Sequence, residues 1–539
     1  MRAVTSGSGL ILAVFAGLLV ARVLAIWAVY FWEEDEIALA LGGAALVADT
    51  AGDLYRYTVQ VGYYRLVQLV DVLLGGRIDL IPAIVKGMSA LAGAVIPAAG
   101  FFAFRDELSV RERWLVVLTL AVNPIIWKSS AYGNSAIVAT AMATTSLVVL
   151  SNRPGPALRV AALALFGLAT TVRADTVLLA PVVPLLLWRN EGSFGGALKW
   201  SVAFGIAMAL VYAAILALDP RADSALGAVA RHMASSRPTM FWEYLLWAMS
   251  PVPLMLSIWG MRGLLETRPR LLLLLLVWAL PVLLFYFRAT TTPRYFTSPA
   301  VPLAIAAAVG MSDLATRLRA WLRPALASTA VIGLASLHLF LALGRLQSDW
   351  LTQPLYGATF DTHDGPMPTG ALLYSTYSDA GSLARSLPHP EFGRPGSPYF
   401  EPTSFRRAME VLADPAAARR TVLVVIDGGW GHAFHWHAHV AGARYTSEPR
   451  PGREFWSREI WLELGNTRVM TVARWWDDYD SLARFDVQAG DQVWVLGIRP
   501  FPEPADLAKL PPGLDLVPVE GFDSHIRTFA VTGRQPSDR

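Results

Sequence analysis

Hydrophobic and polar positions are not evenly mixed along this chain. Over residues 1–345 long apolar runs alternate with short polar ones, whereas residues 346–539 have the mixed texture of a globular domain. A membrane-crossing helix needs roughly 20 mostly apolar residues. Runs approaching that length fall at 10–32, 80–104, 114–130, 132–151, 159–172, 174–188, 199–218, 241–261, 271–287, 295–311 and 325–345. They predict a polytopic α-helical membrane protein of about eleven spans. A long first external loop, 33–79, carries two amphipathic helical stretches, Ile37–Val47 and Tyr63–Leu74, suited to the membrane surface or to covering a cavity. In the C-terminal part, strand-like runs at Ala371–Tyr374, Thr421–Ile426 and Gln492–Leu496 alternate with helical patterns at Asp379–Ser386 and Ser404–Leu412. That alternation predicts an α/β domain over 346–539.

Composition narrows the classes. The chain is 54% hydrophobic and 16% charged, well below the charge content of soluble domains. A net charge of +3 offers no basic surface for nucleic acid. There is no cysteine, which excludes disulfide frameworks and thiolate sites. The first apolar stretch, running to Trp32, is too long for the core of a signal peptide, and it reads as a span that starts in the cytoplasm. With that start, the cytoplasmic loops hold Arg105, Arg111 and Arg113; Arg153 and Arg159; Arg189 and Lys199; Arg262, Arg268 and Arg270; and Arg317, Arg319 and Arg323. This follows the positive-inside rule and puts the C-terminal domain on the extracytoplasmic side of a plasma (inner) membrane.

Candidate chemistry gathers on that outer side. Glu33-Glu34-Asp35-Glu36 sets four carboxylates at the membrane boundary. Crowded acids near a low-dielectric slab persist where they bind a cation or move protons, although acids also suit the first turn of a solvated helix. Arg22 lies inside the first span, where a charge costs roughly 2.5–3.5 kcal/mol even on mild scales. It calls for a partner within the bundle, as a structural ion pair or as a ligand contact. Lys128, Arg173, Arg288 and Arg294 fall on external span ends, against the positive-inside trend. An anion held there would account for them, arginine being suited to gripping phosphate; snorkelling to lipid headgroups is the plainer account, especially for Arg288.

Several motifs then carry a resemblance: Asp35-Glu36 after the first span, Asn123-Pro124, Ala131-Tyr132-Gly133, Thr171-Val172-Arg173-Ala174-Asp175 with Pro181, and Pro293-Arg294-Tyr295-Phe296 with Pro299 and Pro302. In this order and spacing the membrane half resembles the membrane glycosyltransferases of the C-type (GT-C) fold, relatives of protein O-mannosyltransferases and aminoarabinose or arabinosyl transferases. The resemblance implies an inverting transferase that takes a sugar from a polyprenyl-phosphate donor and gives it to a glycan, lipid or protein acceptor on the extracytoplasmic face. It implies Asp35 as the catalytic base with Glu36 beside it, and donor-phosphate contacts at Arg294, Tyr295, Lys128 and Arg173. It also raises a divalent metal on Asp35 and Glu36. Relatives often carry a second acid near the start of the fourth span, where this chain has Asn134, so metal dependence stays open.

Other features weigh less. His432, His435, His437 and His439 are interleaved with Trp430, Phe434 and Trp436, which favours a packed aromatic-histidine surface over a metal site. Trp475-Trp476-Asp477-Asp478 is either a sugar-stacking element or core aromatics. Two further classes remain in view. A lipid-linked sugar flippase would show repeated half-helices and midplane charges. A polysaccharide ligase or polymerase would use a late loop with Arg and His, which makes residues 219–240, with Arg221, Arg231, His232 and Arg237, the segment to watch. A catalytically silent relative that binds a partner is a third.

Overall fold

The computed structural model describes residues 2–28, 61–75, 80–131, 133–218, 241–242, 245, 248–288, 293–321, 359–362, 365–368, 408–415, 420–426, 441–449, 458–473, 488–496, 514–523 and 526–534, with isolated positions at 326, 329–330, 333 and 438. Twelve helices are labelled in chain order: α1 Arg2–Ala28, α2 Val61–Leu73, α3 Ile81–Phe102, α4 Val110–Ala121, α5 Pro124–Ala131, α6 Ser135–Ser151, α7 Pro156–Val172, α8 Val182–Glu191, α9 Phe194–Leu218, α10 Pro251–Thr267, α11 Pro269–Arg288 and α12 Thr297–Trp321. Short 3-10 turns at Ala174–Leu179 and Pro293–Phe296 lie between α7 and α8 and before α12. The chain divides into two units, Met1–Val29 with Tyr57–Leu66 and Lys86–Leu387, and Tyr30–Arg56 with Val67–Val85 and Pro388–Arg539.

Among the described residues, four helices are long and apolar enough to cross a membrane: Ala83–Phe102, Phe194–Ala214, Pro269–Arg288 and Arg294–Ala320. Shorter apolar helices cover Gly9–Val23, Ser135–Ser151 and Pro156–Val172. α9 exposes Phe194, Leu198, Val202, Ile206 and Leu210, a stripe repeating every four residues that suits hydrocarbon and not water. α6 is the opposite case, buried around its whole circumference. It packs against α7 closely enough for the Ser146 hydroxyl to donate to the Ala162 carbonyl at 2.6 Å. α2 falls where the amphipathic pattern at Tyr63–Leu74 places it, and the last expected span, 325–345, lies almost wholly outside the described residues.

Two expected spans differ in form. The run 114–130 is broken into α4 and α5, because Asn123 accepts the Ile126 amide at 3.2 Å as a cap and Pro124 opens the next helix. The run 174–188 starts as a 3-10 turn and becomes α-helical only after Pro181. At the other end of α4 a full capping box forms: the Ser109 hydroxyl accepts from the Glu112 amide, and Glu112 returns to the Ser109 amide at 2.7 Å. Arg268 then grips the same carboxylate at 3.1 Å, tying the α10–α11 corner to α4.

The closest helix contact joins α10 and α12. A Cβ built on Gly260 would collide with the Ala306 carbonyl, and one on Gly310 with the Leu256 carbonyl. The Ala-rich stretch Ala304–Ala308 lets the backbones touch, as small residues do in membrane bundles.

The second unit holds a seven-stranded sheet in the order β4-β5-β6-β3-β7-β9-β8, with β3 Arg420–Ile426, β4 Arg444–Pro449, β5 Arg458–Leu464, β6 Thr467–Ala473, β7 Gln492–Leu496, β8 Leu514–Asp523 and β9 Ile526–Arg534. β3 is parallel to β6 and β7 and buries Val422, Leu423 and Val424, as the apolar run of a central strand requires. β5 and β6 turn on Gly465-Asn466, where Gly465 has φ +56° and its missing side chain makes room for the Ala413 carbonyl. A separate hairpin, β1 Thr359–Thr362 with β2 Gly365–Pro368, belongs to the first unit. Two expected strands coincide with β3 and β7, and residues 408–412 are helical within the expected Ser404–Leu412. Ala371–Tyr374 and Asp379–Ser386 lie outside the described residues.

Gly260→Leu or Gly310→Leu should destabilise the detergent-solubilised protein by about 3 kcal/mol. Gly263→Leu, at a position with open space around it, should change thermal unfolding little. Equal effects at all three positions would contradict backbone contact between α10 and α12.

Candidate active site

The break between α7 and the following 3-10 turn gathers a polar cluster among the described residues of the first unit. Arg173 leaves helical geometry, at φ −153° and ψ 116°, capping α7 and opening the turn Ala174–Leu179. Its side chain folds onto Asp175, with Nε 2.8 Å from Oδ2. Burial disfavours the charge on Arg173, but the Asp175 carboxylate together with Tyr286 and Tyr295 more than offsets this and holds the guanidinium above the usual arginine range.

A second chain break meets the first. At the end of α11 the Tyr286 hydroxyl donates to Asp175 Oδ2. Tyr295, in the turn before α12, stacks on the Tyr286 ring at 4.5 Å between centroids with 19° between planes. The Arg173 guanidinium lies over the same Tyr295 ring at 4.8 Å, and that of Arg294 at 5.5 Å. Thr297 joins the start of α12 to α6 through a 3.0 Å contact between the Thr140 and Thr297 hydroxyls. A small cleft opens beside them, its wall carrying Arg173, Asp175, Tyr286, Tyr295 and the hydroxyls of Thr140 and Thr297. One guanidinium in the wall, a second over the far edge of the cluster on Tyr295, a carboxylate and several hydroxyls give the cleft groups that can meet an anionic, hydroxyl-bearing ligand.

Of the residues the sequence singles out, Arg173, Arg294 and Tyr295 are brought together here. Lys128 lies on α5, with its side chain outside the described residues. Asp35 and Glu36, with the rest of the acidic run, are outside them too, as are loop 219–240, the histidines of the 432–439 tract and Trp475–Asp478. Two members of the cluster carried no role in the sequence reading. Asp175 has a legible signal, an acid two residues past an arginine at a helix break. Tyr286 has none beyond being a tyrosine in the last turn of an apolar helix.

Asn134, which stands where a second acid would be expected, is the buried cap of α6, its Oδ1 accepting from the Ala136 amide at 2.8 Å. Among the described residues no group of three His, Asp or Glu side chains is placed to hold a metal ion. Arg22 is 1% exposed. No carboxylate pairs with it among the described residues. Its Nε donates to the Ser130 hydroxyl at 3.0 Å and its guanidinium lies 4.8 Å over the Trp127 ring. One of its terminal nitrogens, Nη2, has no hydrogen-bond partner among the described residues. Room for the group comes from Gly93, where a Cβ would collide with Ser130 and crowd Arg22.

The chain has the fold of the GT-C membrane glycosyltransferases. The crystal structure of ArnT from Cupriavidus metallidurans bound to undecaprenyl phosphate matches it with a TM-score of 0.56 at 14% sequence identity, over 97% of this chain and 98% of that one. The same protein in the apo state gives a TM-score of 0.57, again at 14% identity and over 97% and 98% of the two chains. An oligosaccharyltransferase from Archaeoglobus fulgidus in its apo form aligns less closely, with a TM-score of 0.48 at 12% identity over 79% of this chain and 64% of its own. No family model matches the chain, and no curated protein matches it by sequence.

Arg22→Met preserves the length of the side chain and removes a buried charge that has no counter-ion among the described residues. The variant should be as stable as the parent or more stable by about 1–2 kcal/mol in thermal unfolding. A marked loss of stability would point to an anionic partner for Arg22.

Proposed function

We propose that this protein is an inverting glycosyltransferase that moves a sugar from a polyprenyl-phosphate-linked donor to an acceptor hydroxyl on the extracytoplasmic face of the membrane. The observation that carries the reading is the convergence of Arg173 and Arg294 on Tyr295 beside a polar cleft in a helical unit. The fold shared with ArnT, a protein seen bound to undecaprenyl phosphate, supports it.

In this reading Asp35 accepts the proton of the acceptor hydroxyl as its oxygen attacks the anomeric carbon. The bond from that carbon to the phosphate oxygen breaks, the configuration inverts, and polyprenyl phosphate leaves with the bonding pair. Arg294, Arg173 and Lys128 balance the charge that gathers on the departing phosphate, Tyr295 orients the two arginines, and Glu36 supports the base. Arginine suits this role because its planar fork matches phosphate geometry and its charge persists at all working pH values. A divalent metal on Asp35 and Glu36 would need further donors, and Asn134 already uses its side-chain oxygen to cap α6. Membrane lipids surround the helical unit, and the C-terminal domain faces the acceptor, be it glycan, lipid or protein.

Purified protein should transfer sugar from an undecaprenyl-phosphate-linked donor panel, and Asp35→Asn should lower turnover by at least about a hundredfold with folding intact. Arg294→Ala should raise the donor KM. Unchanged turnover in Asp35→Asn would sink the mechanism.

A further inference from the structure

Arg173 does not stand as an open cation in the cleft. Asp175 holds it at Nε, and the same carboxylate oxygen takes the Tyr286 hydroxyl. Both ionic side chains keep a partial opening, 14% for Arg173 and 21% for Asp175, and both line the cleft. Any phosphate brought to Arg173 therefore approaches a carboxylate as well. The stacked rings of Tyr286 and Tyr295 and the turn from Arg173 to Asp175 fix that carboxylate in place.

We propose that Asp175 is the resident counter-anion of the cleft, which neutralises Arg173 when no lipid is bound and weakens the hold on the product carrier more than the hold on the donor. This rests on the reading of Arg173 as a donor-phosphate contact. The argument is one of charge. A polyprenyl-phosphate sugar is a phosphodiester with a single negative charge, while the polyprenyl phosphate left after transfer is a monoester with a charge of about −1.5 to −2 near neutral pH. Repulsion from a fixed carboxylate scales with the ligand's charge, so Asp175 opposes the monoester roughly twice as strongly in free energy. Arg173 and Arg294 attract both ligands. With Asp175 present, that attraction is trimmed most for the species that has to leave. The residue thus sets discrimination between donor and product without touching the reacting carbon.

The test is direct binding to the full chain in detergent, using a short-chain polyprenyl phosphate, its methyl diester and the uncharged polyprenol. Asp175→Asn keeps an oxygen for the Arg173 and Tyr286 hydrogen bonds and removes only the charge. It should bind the monoester about tenfold more tightly, the methyl diester about threefold more tightly and the polyprenol unchanged, and added salt should shrink the first two gains. In an Arg173→Met background the gains should largely vanish. A variant that melts like the parent but binds monoester and diester with no gain, or gains equally for the polyprenol, overturns the counter-anion role and leaves the donor reading standing. Failure of the parent and the variant alike to bind the monoester overturns both.

Discussion

The ion pair between Arg173 and Asp175 sits where a helix stops, and that position explains much of the first unit. In a nonpolar surrounding, a chain break exposes backbone groups that need partners, and a charge needs a counter-charge. Here both demands meet in three residues. Arg173 takes an extended conformation while its amide still donates to the Ala169 carbonyl at 3.0 Å, which closes the last turn of α7. Its side chain turns back to Asp175, and Tyr286 completes the carboxylate's shell. The second break, before α12, brings in Tyr295 as a flat surface shared by two guanidinium groups and a tyrosine ring. The cleft is the space that two helix ends leave open once their polar groups are satisfied by one another.

The same logic governs the loops rich in arginine. Arg159 pairs with Glu191, Arg189 with Glu107 and Arg268 with Glu112, so these three of the basic residues counted for orientation are locally balanced. Asp and Glu contribute little to topology, so a loop can be neutral in sum and still direct insertion. Arg189 goes further, donating to the Ser151 carbonyl at 2.9 Å and lying over the ring of Phe104, a residue held at φ +49°. These loops are fitted joints and not loose ends.

Much of this was legible in the residues. The apolar runs mark most of the helices, Arg173 and Arg294 stand out because arginines are unexpected at those span ends, and Tyr295 is picked out by the motif that carries the family resemblance. The central strands β3 and β7 follow from short apolar runs rich in valine. What escaped has a physical cause. Asn123-Pro124 reads as part of an apolar run of span length, yet a capping amide followed by proline divides the run into two helices. Tyr286 reaches Asp175 across 111 positions of sequence, a contact that no local pattern encodes. Arg22 calls for a partner within the bundle on cost grounds, and among the described residues it meets a hydroxyl and an indole face, contacts that hydropathy cannot anticipate.

The glycine contact between α10 and α12 has a mechanical meaning. Where helices meet through layers of side chains, a push on one is absorbed as rotamers shift. Between Gly260 and Gly310 there is no such cushion, because backbone faces backbone. The two helices must move as a single stiff rod, and α12 begins immediately after Arg294 and Tyr295. A strain applied anywhere along α10 would therefore arrive undamped at the arginine-tyrosine corner of the cleft.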